Sequence, residues 1–184
     1  NPRIELKPSY ATIMLSGIFM DSNYFKSNKT GMRTFEAAEI LKSYGADNSV
    51  ADDYLKEEFE EYTLVNKIIS TIKTPYYGVV YCVSDDHDII ERSTLAKVCN
   101  QLMQLKGINA CFVIGRTDDK TVRMSARSDG SINVQTICEK MGGGGHFAMA
   151  ATAMSGNSSD PLVKNLLSVL DNYLDSARTG PVDE

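Results

Sequence analysis

Residues 141–151 read MGGGGHFAMAA, four consecutive glycines running into His146 and then into small residues. Glycine loses more backbone freedom on ordering than any other residue. A run of four therefore belongs where the main chain turns sharply or lets another molecule come close. Successive amides in such a turn (Gly142, Gly143, Gly144 and Gly145) can converge on an anion such as phosphate. His146 stands where it would add a side-chain donor. A flexible linker is the plain alternative, but linkers carry serine and polar residues, whereas this run lies between apolar stretches. The second feature is TVRMSAR, residues 121–127. Its alternation predicts a strand with Val122, Met124 and Ala126 on one face and Arg123, Ser125 and Arg127 on the other. Arginine grips phosphate bidentately, and serine or asparagine binds ribose or base edges. Ser128 and Asn133 follow across a short turn. A cationic strand face feeding a glycine turn has the makings of a nucleotide-phosphate site. Pairing with Asp129 or Glu139 is the alternative for Arg127 taken singly.

Other residues suggest chemistry less strongly. Asp85-Asp86-His87-Asp88 looks like a set of metal ligands. Adjacent residues in one turn rarely converge on an ion, so a solvated strand-to-helix loop is the better reading. Asp21 closes an apolar helix, where the helix dipole disfavours a carboxylate. A turn cap or a pair with Arg33 is the plainer account of it, and a metal ligand the alternative. At least eleven residues separate any two of Cys82, Cys99, Cys111 and Cys138. No CxxC pair exists, and buried, reduced thiols are expected.

The elements that must position these residues are legible in outline. The chain has 184 residues, 42% hydrophobic and 23% charged, the balance of an ordinary globular protein. A net charge of −5 argues against a general nucleic-acid coat. No apolar run approaches the ~20 residues of a membrane span. An apolar helix follows Pro8-Ser9, and its nearly all-round hydrophobicity predicts burial. A second helix follows Thr34 and stops at Gly45. A third is expected to run from Ser49 to about Lys73, closed by Thr74-Pro75. Residues 76–84, 109–116 and 121–127 read as strands, with a shorter one over 150–154. Helices are expected over 89–105, 133–141 and 161–174.

The run VRMSARSDGSINVQTICEKMGGGGHFAMAA resembles the DHH-associated C-terminal domain of DHH phosphoesterases. The stretch ATIMLSGIFMDSNYFKSNKTGMRTFEAAEILKSYGAD resembles the end of a catalytic DHH domain, in the form found in GdpP-type cyclic-di-AMP phosphodiesterases. The resemblance implies an α/β fold: the remnant of a DHH domain over 1–57, a helical linker over 58–75, and a small α/β domain with a mixed sheet over 76–178. Residues 179–184 read as a tail. It further implies a hydrolase that opens cyclic di-AMP to linear pApA with two manganese ions, substrate lying in a cleft between the domains. Asp21 then matches a metal-ligand aspartate, against the plainer reading above. Ser125, Arg127, Ser128, Asn133, the four glycines and His146 match the substrate-binding positions.

The family's other metal ligands, an Asp-His-His triplet among them, belong upstream and do not occur in this chain. One carboxylate cannot hold two metals, so the fragment alone is expected to be inactive. The FAMAA segment departs from the commoner polar pair before the alanines, which bears on base selectivity. The expected partners are the dinucleotides and the upstream domains of the same polypeptide, with a homodimer left open and no duplex nucleic acid. The resemblance also implies a cytoplasmic domain of a membrane-anchored parent. Two rivals stand beside it: an oligoribonuclease or nucleotide phosphatase of the same superfamily, and a non-catalytic nucleotide-binding module.

Overall fold

The computed structural model describes residues 5–27 and 30–178, with side chains to residue 175. The tail over 179–184 lies outside the described residues. The chain forms two compact units, Asn1–Glu58 and Phe59–Glu184.

The first unit holds α1 (Pro8–Ser22), α2 (Met32–Ser43) and α3 (Asn48–Asp53). Pro8 opens α1 at a position where its missing amide costs nothing. Ala11, Leu15 and Phe19 recur at helical spacing and pack on Leu41, Ala46 and Ala51. The two short helices cover only that stripe, so Ile13, Met14 and Met20 are exposed, unlike the all-round burial that the sequence predicts. After α1 three residues in succession are left-handed: Asn23, Tyr24 and Phe25, at φ 48°, 54° and 64°. Phe19 stacks on Tyr24 with ring centroids 5.2 Å apart, and Phe25 on Phe35 at 5.1 Å. These contacts offset the backbone strain of the turn.

The long helix expected over 49–73 is two helices. Asp47 caps α3 by accepting from the amides of Ser49 and Val50 at 2.8 and 3.1 Å. A new helix, α4, spans Phe59–Ile69 with Glu60 and Glu61 in its first turn. Acidic side chains there favour a helix start through the dipole, which is why the chain restarts at this point.

The second unit continues with β1 (Lys73–Tyr76), β2 (Val79–Val83), α5 (Arg92–Leu102), β3 (Ala110–Asp118), β4 (Thr121–Ser128), α6 (Val134–Lys140), β5 (Gly144–His146), β6 (Met149–Ser155) and α7 (Asp160–Arg178). The strands form one mixed sheet in the order β1-β2-β3-β4-β6-β5. Only β2 and β3 pair in parallel, and α5 is their crossover; the other pairs are antiparallel. The sequence reading missed both edge strands, β1 and β5.

A core lies on each face of the sheet. On one side Val65 and Ile68 of α4 join Leu95 and Val98 of α5 over Cys82 and Val113. On the other, Ile137 of α6 and Leu166 of α7 pack on Phe112, Met124 and Ala150. The uninterrupted apolar run of β2 reflects burial on both faces. No helix among the described residues is long and apolar enough to cross a membrane.

Candidate functional site

The alternation of β4 fixes the site. Val122, Met124 and Ala126 enter the core under α6 and α7, so Arg123, Ser125 and Arg127 emerge on the opposite face. There α5 packs against β3 and β4. Further out, on β6, Met149, Ala151 and Ala153 are exposed while Ala150 and Thr152 point into the core. Directly paired residues share a face, so the register groups the side chains into rows. Arg127 pairs with Met149, and Met149 with His146. One step along, Ser125 pairs with Ala151, and Ala151 with Gly144. Beyond that, Arg123 pairs with Ala153. The result is a platform that opens toward the sheet edge: half-buried cations and a buried Ser125 on β4 beside α5, a histidine on the edge strand, and an exposed floor of methyl groups and bare backbone on β6 and β5.

The electrostatics leave Arg127 available. Among the described residues its guanidinium donates only to its own strand, to the Ala126 carbonyl at 2.9 Å and the Ser125 hydroxyl at 3.5 Å. Both carboxylates that could have neutralised it are engaged elsewhere. Asp129 accepts from the Ser131 hydroxyl and amide at 2.6 and 2.9 Å and from the Asn109 amide at 2.9 Å. These bonds hold its carboxyl below the usual aspartate range. Glu139 accepts from Gln135 at 2.7 Å. The Nε of Arg123, a residue that sequence reasoning left out of the site, is buried and has no hydrogen-bond partner among the described residues.

The glycines divide by role. Gly142, at φ 78°, ends α6, and the amides of Gly142 and Gly143 donate to the carbonyls of Glu139 and Cys138 at 3.0 and 2.8 Å. Two of the four amides expected to face an anion therefore satisfy the end of a helix, whose last carbonyls need donors. A Cβ on Gly143 would stand 2.2 Å from the Ala151 carbonyl, and one on Gly145 2.4 Å from that of Met149. These two let β5 lie against β6. Gly144 has neither duty: its φ is ordinary and a Cβ there would meet nothing within 4 Å.

Ser128 and Val134 hold the turn between β5 and β6, and Asn133 lies between them in sequence without bonding to it. The amides of Ser128 and Val134 donate to the carbonyls of Ala148 and Phe147, each at 3.0 Å. The Asn133 side chain caps α6 by accepting from the Thr136 amide at 3.2 Å. Its oxygen is thus committed to the helix, while Ser128 lies at the end of the platform strand.

Asp21 belongs to the other unit. Its carboxylate is exposed in the last turn of α1. Among the described residues no group of three or more His, Cys, Asp or Glu side chains could hold a metal ion. A lone carboxylate falls short of the donor set of a divalent cation, so these residues do not by themselves fit a manganese pair. In the 85–88 loop Asp86 accepts from the Ser159 amide at 3.0 Å and its hydroxyl at 2.5 Å. Asp88 pairs with Lys67 at 2.7 Å, and Asp85 accepts from the His87 amide at 2.9 Å. Each carboxylate there has a structural task. Two cavities of about 730 and 610 Å³ lie around Lys67 and Ser84 and around Phe59 and His87. They share no residue with the platform, which is a sheet face open toward its edge.

A DHHA1 domain model matches residues 74–176. The cyclic-di-AMP phosphodiesterase PdeA of Listeria monocytogenes is 36% identical over 163 residues, 89% of this chain and 25% of that protein. The cyclic-di-AMP phosphodiesterase GdpP of Geobacillus thermodenitrificans is 33% identical over 176 residues, 96% of this chain and 27% of that protein. The chain thus spans about a quarter of the length of these curated relatives. An exopolyphosphatase-related protein from Bacteroides fragilis shares the fold at a TM-score of 0.75 and 18% identity, over 91% of this chain and 51% of that one.

Proposed function

Since the chain belongs to the DHHA1 domain family, we propose that it is the substrate-binding part of a cyclic-di-AMP phosphodiesterase, and that the β4–β6–β5 platform holds the nucleotide. The observation that carries this reading is Arg127, a guanidinium with no carboxylate partner among the described residues, facing out in one row with His146. Its planar fork grips a phosphate. His146 donates from the edge strand, and the largely buried Ser125 hydroxyl lies beside the Arg127 guanidinium; Ser128 pairs with Ala110 of the α6–α7 core, so the alternation turns its side chain to the other face. The similarity to PdeA and GdpP supports cyclic di-AMP as the ligand. Hydrolysis adds water across one phosphodiester: the water oxygen bonds to phosphorus, the 3′ oxygen leaves with a proton, and linear pApA results. This chain's part is to bind and orient that phosphate.

In this reading Asp21 would be one ligand to a manganese pair that would activate the attacking water, with the remaining ligands supplied by other parts of a longer, membrane-anchored polypeptide. The 184 residues alone therefore bind without turnover. Calorimetric titration with cyclic di-AMP and with pApA tests the proposal. Arg127→Ala should weaken affinity by about 1.5–3 kcal/mol, the worth of a charge-assisted hydrogen bond, or roughly 10- to 150-fold. An unchanged dissociation constant would remove Arg127 from the site, and turnover by the purified chain would refute the division of labour.

A further inference from the structure

We propose that Met149 is the residue of this platform that contacts the nucleotide base, and that it does so by apolar contact that does not distinguish one purine from another. The inference rests on the platform reading above. Met149 stands between Arg127 and His146 in a cross-strand row, each neighbour about 5 Å away at Cα. A nucleotide whose phosphate Arg127 grips therefore extends across Met149 toward His146. Half of the Met149 surface is open (50%), as is that of Phe147 in the adjoining turn (49%), so both side chains are accessible to a ligand lying on the platform.

In the neighbouring row Ser125 is buried, and the accessible part is Ala151 and Gly144, a low floor beside the taller thioether. A flat ring laid on that floor meets the Met149 sulfur and methyl at its edge, a favourable contact between a polarisable thioether and an aromatic system. The outward residues of β6 next to it, Ala151 and Ala153, bring no polar side-chain atom either. Reading a base edge needs a donor or acceptor opposite it. A strand that presents methionine and alanine supplies none, so β6 senses that a base is present and not which purine it is. Selection of adenine then falls to groups away from β6.

Titration of the chain with pApA, pGpG and ribose 5-phosphate tests this. The two dinucleotides should bind within about threefold of each other, because no hydrogen bond separates them. Met149→Ala should weaken both by roughly 5- to 10-fold, the lower range of a base contact, and leave ribose 5-phosphate unchanged. Met149→Leu, of similar volume, should restore binding to within about twofold. Met149→Asn should favour pApA by about tenfold, since a carboxamide can pair with adenine N6 and N7. Circular dichroism of each variant checks that the fold is intact. Unchanged dinucleotide affinity in Met149→Ala, beside a loss in Arg127→Ala, overturns the role of Met149 and leaves the platform standing. An equal loss for ribose 5-phosphate, or a purine preference above about 30-fold in the unaltered chain, also overturns it. If Arg127→Ala has no effect, the platform reading falls and the base contact with it.

Discussion

Gly143 and Gly144 are adjacent and identical in type, yet the structure gives them opposite sensitivities. An added methyl at Gly143 would lie 2.2 Å from the Ala151 carbonyl, 2.6 Å from the Thr152 Cβ and 2.8 Å from its Cα. Two of those atoms are main chain and cannot swing aside. Relief requires β5 to move off β6, and overpacking of this kind costs about 1–3 kcal/mol. For a chain of this size each kcal/mol shifts the midpoint by roughly 2–4 °C, so Gly143→Ala should melt about 2–12 °C lower. At Gly144 the same methyl meets nothing within 4 Å. The loss of unfolded-state freedom even favours the variant by about 0.4–1 kcal/mol. That methyl, however, rises from the platform row of Ser125 and Ala151, where the ligand is proposed to lie. Gly144→Ala should therefore melt like the unaltered chain while binding pApA at least about tenfold more weakly, a loss of ~1.4 kcal/mol. Thermal circular dichroism reads the first quantity. Because two units need not melt together, hydrogen exchange at the β5 and β6 amides should accompany it. Equal destabilisation by both substitutions, or none by Gly143→Ala, would refute the division of roles.

Two further outcomes follow from the second unit. Burial would raise the Asp86 carboxyl, but the hydroxyl and amide of Ser159 outweigh it and hold it below its ordinary 3.8. A depressed folded-state value means the stabilisation is complete above the unfolded value and lost as pH falls through the folded one. Asp86→Asn should thus cost about 1–2 kcal/mol at neutral pH, with the gap closing in denaturant titrations as pH falls through the lowered carboxyl value; a pH-independent gap would contradict the anchoring role. All four cysteines are buried, and burial pushes the Cys82 and Cys138 thiols up to about 12. An aromatic disulfide reagent at pH 8 should label none of them in the folded chain and all of them in denaturant, because only thiolate reacts; fast labelling of the native form would overturn that burial.

Where one strand faces two cores or one core and solvent, its sequence pattern sufficed. The central strands, β2 to β4, and the helices α5 to α7 follow from apolar runs and alternation. The edge strands did not, for reasons particular to each. β1 contains Pro75, which removes a ladder donor and makes the segment read as a helix stop. β5 is three residues, two of them glycine, with no side-chain period to detect. The break between α3 and α4 was hidden because Tyr54, Leu55 and Phe59 continue a helical spacing, while Asp47 and the acidic pair at 60–61 mark a stop and a restart.

The candidate site was legible as a set of residue types and illegible as an arrangement. Arg127, Ser125 and His146 could be picked out by type, but which of them share a face depends on how β6 pairs with β4 and β5. A slip of one residue would turn Met149 and Ala151 inward and Ala150 outward. What prevents that slip lies on the far side of the sheet. Ala150 is buried against the α6 and α7 core, and Thr152 donates to the Met141 carbonyl at 3.0 Å, beside the glycine run. A methionine or an exposed residue could not replace either without overfilling that core or stranding a buried hydroxyl. Packing beneath the sheet therefore dictates what stands above it. The row of Arg127, Met149 and His146 is held in place by residues that no ligand would touch.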